Sequence, residues 1–154
     1  MTAVAETAAE VADPLRRAPF QCTQPEVKEV RSALEPEVAA LAAARATEEH
    51  VLARERACAV LEQATAEHRS LVNPSIALRV AIAEGSYTPV FVRAVRNIHA
   101  LWEKAEPMVI FPQDRATDNR QHRTRVAAIR QRNPDAVRRL MRRHILEWTS
   151  ESRL

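Results

Sequence analysis

The 154-residue chain contains a single glycine, Gly85, and this scarcity is the strongest constraint that the sequence places on the fold. Alanine, leucine, glutamate and arginine dominate the composition, whereas aromatic residues make up only 4% of it. The abundant residues are helix formers, while a sheet draws on β-branched and aromatic side chains. The sequence therefore predicts an all-α protein.

Cap-and-proline pairs divide the chain into helical segments. Asn or Thr followed by Pro is typical of a helix start, because proline in the first turn gives up no helical hydrogen bond. The pairs are Asn73-Pro74, Thr88-Pro89 and Asn133-Pro134. The predicted helices are residues 23–46, 48–68, 73–85, 88–106, 114–132 and 134 to near the C-terminus. Six helices with short links indicate an antiparallel bundle, in which Pro36 should kink the first helix.

Residues 1–19 are alanine-rich and interrupted by prolines, and we interpret them as a flexible arm before one helical domain, residues 20–154. The acidic N-terminus lacks the apolar segment of a signal peptide, and no apolar run reaches the roughly 18 residues of a membrane span. Cys22 and Cys58 lack metal-type spacing and suit a reducing compartment. We therefore expect a cytoplasmic protein.

Charge and motifs argue against two broad function classes. Residues 114–154 hold 11 arginines against 5 acids, but arginine is the usual cation of this chain, and a solvated helix face is the ordinary explanation. No catalytic triad, phosphate-binding loop or paired-carboxylate motif is present. We therefore expect neither direct nucleic-acid binding nor enzyme activity.

Two histidines frame the last predicted helical hairpin. His122 and His144 each lie 11 residues from Asn133, so an antiparallel hairpin places them at the same height. Helical periodicity also puts each on the apolar stripe of its helix. We predict that the two imidazoles meet inside the bundle, either as buried hydrogen-bonded residues or as part of a pocket for a metal or an anion. His50 and His99 lie among polar neighbours and should be exposed or at a rim.

Apolar residues surround the whole helix predicted from segment 70–83, which indicates a central, buried element. Arg79 is the one ionisable residue in this segment. A buried guanidinium must be paired, and no acid lies on its own helix face within one turn. Its partner must be an acid of another helix, such as Glu35 or Glu62, or a ligand. Because the planar guanidinium suits a carboxylate, a pocket containing Arg79, His122 and His144 would bind a small organic acid.

Three segments together resemble the FCD domain, the effector-binding domain of the FadR branch of GntR-type bacterial transcription regulators. They are EVRSALEPEVAALAAARATEE (29–49), LRVAIAEGSYTPVFVRAVRNIHALWEKA (78–105) and HRTRVAAIRQRNPDAVRRLMRRH (122–144). The resemblance covers about residues 20–150. It implies a helical bundle that forms a homodimer and binds a small carboxylate metabolite, which changes the DNA affinity of an attached winged helix-turn-helix domain.

The resemblance also implies a site. Many FCD domains hold a divalent metal with an aspartate, a histidine four residues later, and two histidines that match His122 and His144. The first two positions fall here on Ser75 and Arg79. Because this exchange removes two ligands and adds a positive charge, we expect no cofactor and weak metal binding or none. Our hypothesis is that Arg79 takes the electrostatic role of the metal and binds the effector carboxylate, with Arg31 and Ser75 nearby.

Two alternatives stay open at this point. His68 could replace the missing histidine of the family's metal site. The chain could also be a helical protein-interaction module that dimerises with and modulates a full-length regulator, its pocket vestigial. The 19 residues before residue 20 are too few for a winged helix-turn-helix, so DNA binding by this chain itself is not expected.

Overall fold

The structure is a computed structural model that describes residues 22–105 and 112–147. Within these residues all regular structure is α-helical, which confirms the all-α prediction. The helices are α1 (Gln24–Arg45), α2 (Glu48–Ala66), α3 (Val72–Glu84), α4 (Pro89–Ala105), α5 (Pro112–Arg130) and α6 (Pro134–Glu147). The predicted arm, residues 1–19, lies outside the described residues, as do residues 106–111 between α4 and α5.

The helix starts follow the local chemistry of the sequence. The Thr23 backbone N–H donates to Glu26 Oε2 at 2.7 Å, which closes a capping box at the start of α1. Asn133 caps α6, since its Oδ1 accepts from the Ala136 N–H at 3.0 Å. The predicted start of α3 is wrong by one residue: the helix begins at Val72, so the Asn-Pro pair lies in its first turn. α1 continues through Pro36 as a single helix.

α1 is the central element of the bundle, because it contacts α3, α4, α5 and α6. The sequence had suggested α3 for that place on account of its apolarity. Fully buried alanines along α1, Ala39, Ala42 and Ala43, provide a side-chain surface small enough for several helices to approach closely. Acids or bases on the inner side of α1 therefore face most of the other helices at once.

Arg54 on α2 is fully buried, at 0% exposure, and explains why the single glycine stands where it does. Its guanidinium lies against Gly85, where an added Cβ would overlap it. Its Nε donates to the Ala81 carbonyl at 3.3 Å, but Nη1 and Nη2 find no hydrogen-bond partner among the described residues. Burial lowers the pKa of Arg54 to about 10, so its charge is held at a cost.

The Arg54→Met substitution is therefore expected to raise the free energy of unfolding by about 1–2 kcal/mol, since it removes an incompletely bonded buried charge and keeps an unbranched stem. Urea denaturation would measure the change. Arg56→Met, at an exposed position of the same helix, is the control and should stay within about 0.5 kcal/mol of the parent. Destabilisation by Arg54→Met would mean that solvent or an ion bonds the guanidinium in solution.

Candidate functional site

The α5–α6 hairpin brings His122 and His144 together, as their distances from Asn133 predict. The ring centroids are 5.1 Å apart, and the ring planes are inclined by 58°. The two side chains are 1% and 2% exposed. Both imidazoles therefore lie at one level inside the bundle.

Glu35 on α1 is the anion around which the site is built. It is 3% exposed and accepts three hydrogen bonds from three helices. Arg31 Nε donates to Oε1 at 2.7 Å, His99 Nε2 to Oε1 at 3.0 Å, and Arg79 Nη1 to Oε2 at 2.8 Å. The Arg31 guanidinium also lies 4.6 Å from the centre of the Trp102 ring. Of the two acids predicted as partners of Arg79, Glu35 is thus the one that it contacts.

The charges around Glu35 fix its ionisation. Burial on its own would raise the pKa of this carboxyl group. Arg31 and Arg79, together with the hydrogen bond from His99, outweigh burial and hold the pKa of Glu35 well below its usual range. The carboxylate is therefore ionised at neutral pH.

Arg79 connects the carboxylate to the histidine pair. Its Nη2 lies 2.8 Å from Nε2 of His144. Because a guanidinium can only donate, this imidazole nitrogen is the acceptor, and the proton of neutral His144 sits on Nδ1. That nitrogen in turn donates to Gln121 Oε1 at 2.7 Å. Burial, reinforced by the charges of Arg125 and Arg79, lowers the pKa of His144 well below its usual range, so the imidazole is neutral.

Arg125 donates a hydrogen bond to His122, as Arg79 does to His144. Arg125 Nη2 donates to His122 Nδ1, so the proton of neutral His122 sits on Nε2. Arg125 is itself buried. We call the residues joined in this way the buried cluster. Its members are Arg31, Glu35, Arg79, His99, His122, Arg125 and His144.

The buried cluster does not fit a divalent metal. A metal binds imidazole through the ring nitrogen that carries the lone pair. Both such nitrogens, Nε2 of His144 and Nδ1 of His122, accept from a guanidinium here, so a cation would have to displace two arginines. Nor does the described part of the chain group three or more His, Cys, Asp or Glu side chains closely enough to hold a metal.

The double substitution Ser75→Asp with Arg79→His is accordingly expected to bind Zn²⁺ at least about tenfold more tightly than the parent, because it supplies two ligands and removes a cation. Competition with a zinc indicator would measure the change. Ser75→Ala with Arg79→Ala removes the guanidinium without adding ligands and is the control. Equal zinc affinity in the parent and in the Asp/His variant would contradict the inference that arginine replaces the metal.

The other predicted site residues occupy different places. Arg31 belongs to the buried cluster through Glu35. Ser75 lies one turn before Arg79 on α3 and is half-buried; within the described residues its hydroxyl shows no hydrogen bond to the cluster. His68 is exposed in the turn after α2, whereas the histidine pair is buried.

The prediction for His99 is wrong, because this side chain is 4% exposed and binds Glu35. A signal was available. Val95, Ile98 and Trp102 form the buried face of α4, and a residue four positions after Val95 must share it. Arg125 lies similarly three residues after His122 on the stripe that continues to Ile129, so its burial could also have been predicted.

One small cavity adjoins Glu35 and Arg79 of the buried cluster. A cavity of about 10 Å³, the space of roughly one water molecule, is lined by Glu35, Val38, Arg79, Ile82, Val95 and Met141. A far larger open groove of about 700 Å³ lies at the surface near the α3–α4 turn. Its lining residues are His50, Glu84, Tyr87, Thr88, Pro89, Val92, Arg93, Arg96 and Asn97, none of which belongs to the buried cluster.

Comparisons with known proteins agree with this architecture. The family model of the FCD domain matches residues 26–147. Among solved structures, Streptococcus agalactiae GntR matches with a TM-score of 0.72 and 22% identity over 80% of this chain and 56% of its own. E. coli McbR/YncC matches with a TM-score of 0.67 and 19% identity over 80% of this chain and 60% of its own.

Because both identities are below 25%, these structural matches establish the fold alone. The chain spans between half and two thirds of the length of each neighbour. A search of curated proteins finds no match to the chain. Among the described residues, no helix combines the length and apolarity needed to cross a membrane.

Proposed function

The chain belongs to the FCD-domain family, and from this premise we propose that it is a ligand-sensing regulatory domain, not an enzyme, that binds a small organic acid at the buried cluster. One observation carries the proposal: three arginines and three histidines are buried in one cluster at the centre of the bundle, and the cluster contains a single carboxylate. Guanidinium forks and imidazole N–H groups are the donors that recognise carboxylates.

Each residue has a specific part in this proposal. Arg79 binds the carboxylate of the acid, since it is the cation that joins Glu35 to the histidine pair. His122 offers its protonated Nε2, and His144 fixes the orientation of Arg79. Arg31 and the hydroxyl of Ser75 complete the set of donors on α1 and α3.

A thermal-shift screen with lactate, succinate and citrate tests the proposal. An acid present at about 100 times its Kd should stabilise the domain by about 2.7 kcal/mol, which raises the Tm measurably. Arg79→Lys keeps the charge but loses the planar fork, and is expected to weaken binding at least about tenfold. Arg138→Lys, in an exposed pair with Glu37, is the control and should bind the acid like the parent.

The proposal extends to assembly: a cytoplasmic homodimer in which DNA is read by another domain or chain. The rival proposal is a helical interaction module that pairs with a longer regulator. Co-purification with such a regulator and no response to any acid would favour the rival, whereas acid-dependent stabilisation that needs Arg79 favours sensing.

A further inference from the structure

Glu35 already occupies the place that a bound carboxylate would take. Its two oxygens accept hydrogen bonds of 2.7 to 3.0 Å from Arg31, His99 and Arg79. This is the arrangement that an arginine-based receptor makes with an acid ligand. The residue is therefore more than a structural counter-ion, because it satisfies the very donors that the proposed function assigns to the effector.

The small volume of the cavity also makes an incoming acid compete with Glu35 for the same position. The cavity beside Glu35 and Arg79 has about 10 Å³, whereas even a carboxylate group with one carbon substituent needs several times the volume of a water molecule. Through this cavity, an acid can reach Arg79 only if one of the lining side chains moves. Glu35 is the side chain whose hydrogen bonds the acid reproduces, so its displacement loses the fewest contacts.

We propose, on the basis of the function proposed above, that Glu35 is an internal ligand that an incoming carboxylate displaces, and that one proton from solvent is taken up by the displaced Glu35 side chain. Once the acid holds Arg79, Glu35 is a buried carboxylate beside a second carboxylate. Glu35 has then lost Arg79 as its partner, and a like charge beside a buried carboxylate favours the protonated form, so the displaced group binds a proton.

The groups that face Glu35 from the surrounding helices favour this outcome. Arg31 lies on α1, Arg79 on α3 and His99 on α4. From α6, His144 bonds Arg79, which in turn bonds the carboxylate, and from α5 the guanidinium of Arg125 is bonded to His122. Arg79 is therefore the cation that couples the histidine pair to Glu35, and its transfer to the acid changes the environment of Glu35 most.

The test is calorimetry on the intact wild-type chain with the one acid among lactate, succinate and citrate that raises the Tm most. Titrations at pH 7 in phosphate, HEPES and Tris separate the heat of buffer ionisation from that of binding, and so count the protons taken up. We expect about one proton per acid bound and an affinity that rises about tenfold for each unit of pH lowered between 8 and 6. Binding without proton uptake would overturn the proposal and leave the proposed function intact.

Variants identify the group that takes the proton. Glu35→Gln removes the internal ligand and is expected to bind the acid more tightly at pH 7, with an affinity independent of pH. His99→Gln is the matched control in contact with the same oxygen, and should retain the uptake of one proton. Retained uptake in Glu35→Gln would overturn the proposal. Absence of binding by both the wild type and Glu35→Gln would instead overturn the proposed function, and this inference with it.

Discussion

The Glu35→Gln substitution is expected to lower the free energy of unfolding by about 3–5 kcal/mol at neutral pH, the usual result of removing one partner from a buried ionic network. The amide has the shape of the carboxylate but not its charge. Arg31 and Arg79 would then remain at the centre of the bundle without the carboxylate that neutralises them. Since a domain of this size is stable by only about 5–15 kcal/mol, the loss would be a large share of the total.

Urea denaturation followed by circular dichroism would measure this loss. The matched control is Glu37→Gln, two residues along the same helix, where the side chain is 50% exposed and pairs with Arg138 at the surface. Such a pair contributes about 1 kcal/mol or less, so the control should change stability little. If both variants lost the same small amount, the position of Glu35 at the centre of the network would be wrong.

Much of this fold can be predicted from local chemistry. The Asn133 cap and the short turn after α5 fix the hairpin, and equal chain distances then bring His122 and His144 to the same height. Helix propensity and the pairs of caps and prolines likewise give the six helices to within a few residues, because both depend on neighbours in sequence.

Which residues of different helices pair, and which helix is central, could be predicted only in part. A buried Arg79 required an acid, and Glu35 was one of two candidates, but sequence spacing does not give the rotation of α1 against α3. Apolarity pointed to α3 as the central helix. The structure instead puts α1 there, since close helix packing depends on small alanines as well as on large apolar residues. His99 was missed because its polar neighbours outweighed the periodicity of α4.

Acidification is expected to destabilise the domain strongly between pH 6.5 and about 4, because the buried cluster holds His99 and His144 neutral. Burial lowers the pKa of His99 to about 4 despite the opposing effect of Glu35, and it lowers the pKa of His144 well below its usual range. In this range the unfolded chain binds protons that the folded chain does not. Stability is therefore full above pH 6.5 and falls as the pH decreases, with His99 alone accounting for about 3 kcal/mol by pH 4.5.

Glu35 affects the free energy of unfolding in a different pH range, so it does not obscure the effect of the histidines. Its pKa lies well below 4.5 in the folded protein, so the stability it contributes is present above that pH and is lost only under stronger acid. The free energy of unfolding between pH 7 and 4.5 thus reports mainly on the histidines. Urea titrations at half-unit steps of pH would give the curve.

His99→Gln separates the contribution of the buried imidazole from general effects of acid. Glutamine cannot take up a proton, so this variant should lose about 3 kcal/mol less than the wild type between pH 7 and 4.5. His50→Gln is the control, because His50 is half-buried outside the cluster, against Tyr87 and Thr47. A wild-type curve flat down to pH 4.5, or an unchanged slope in His99→Gln, would show that the bundle admits a proton at His99, and the cluster would then carry more positive charge than the geometry assigns to it.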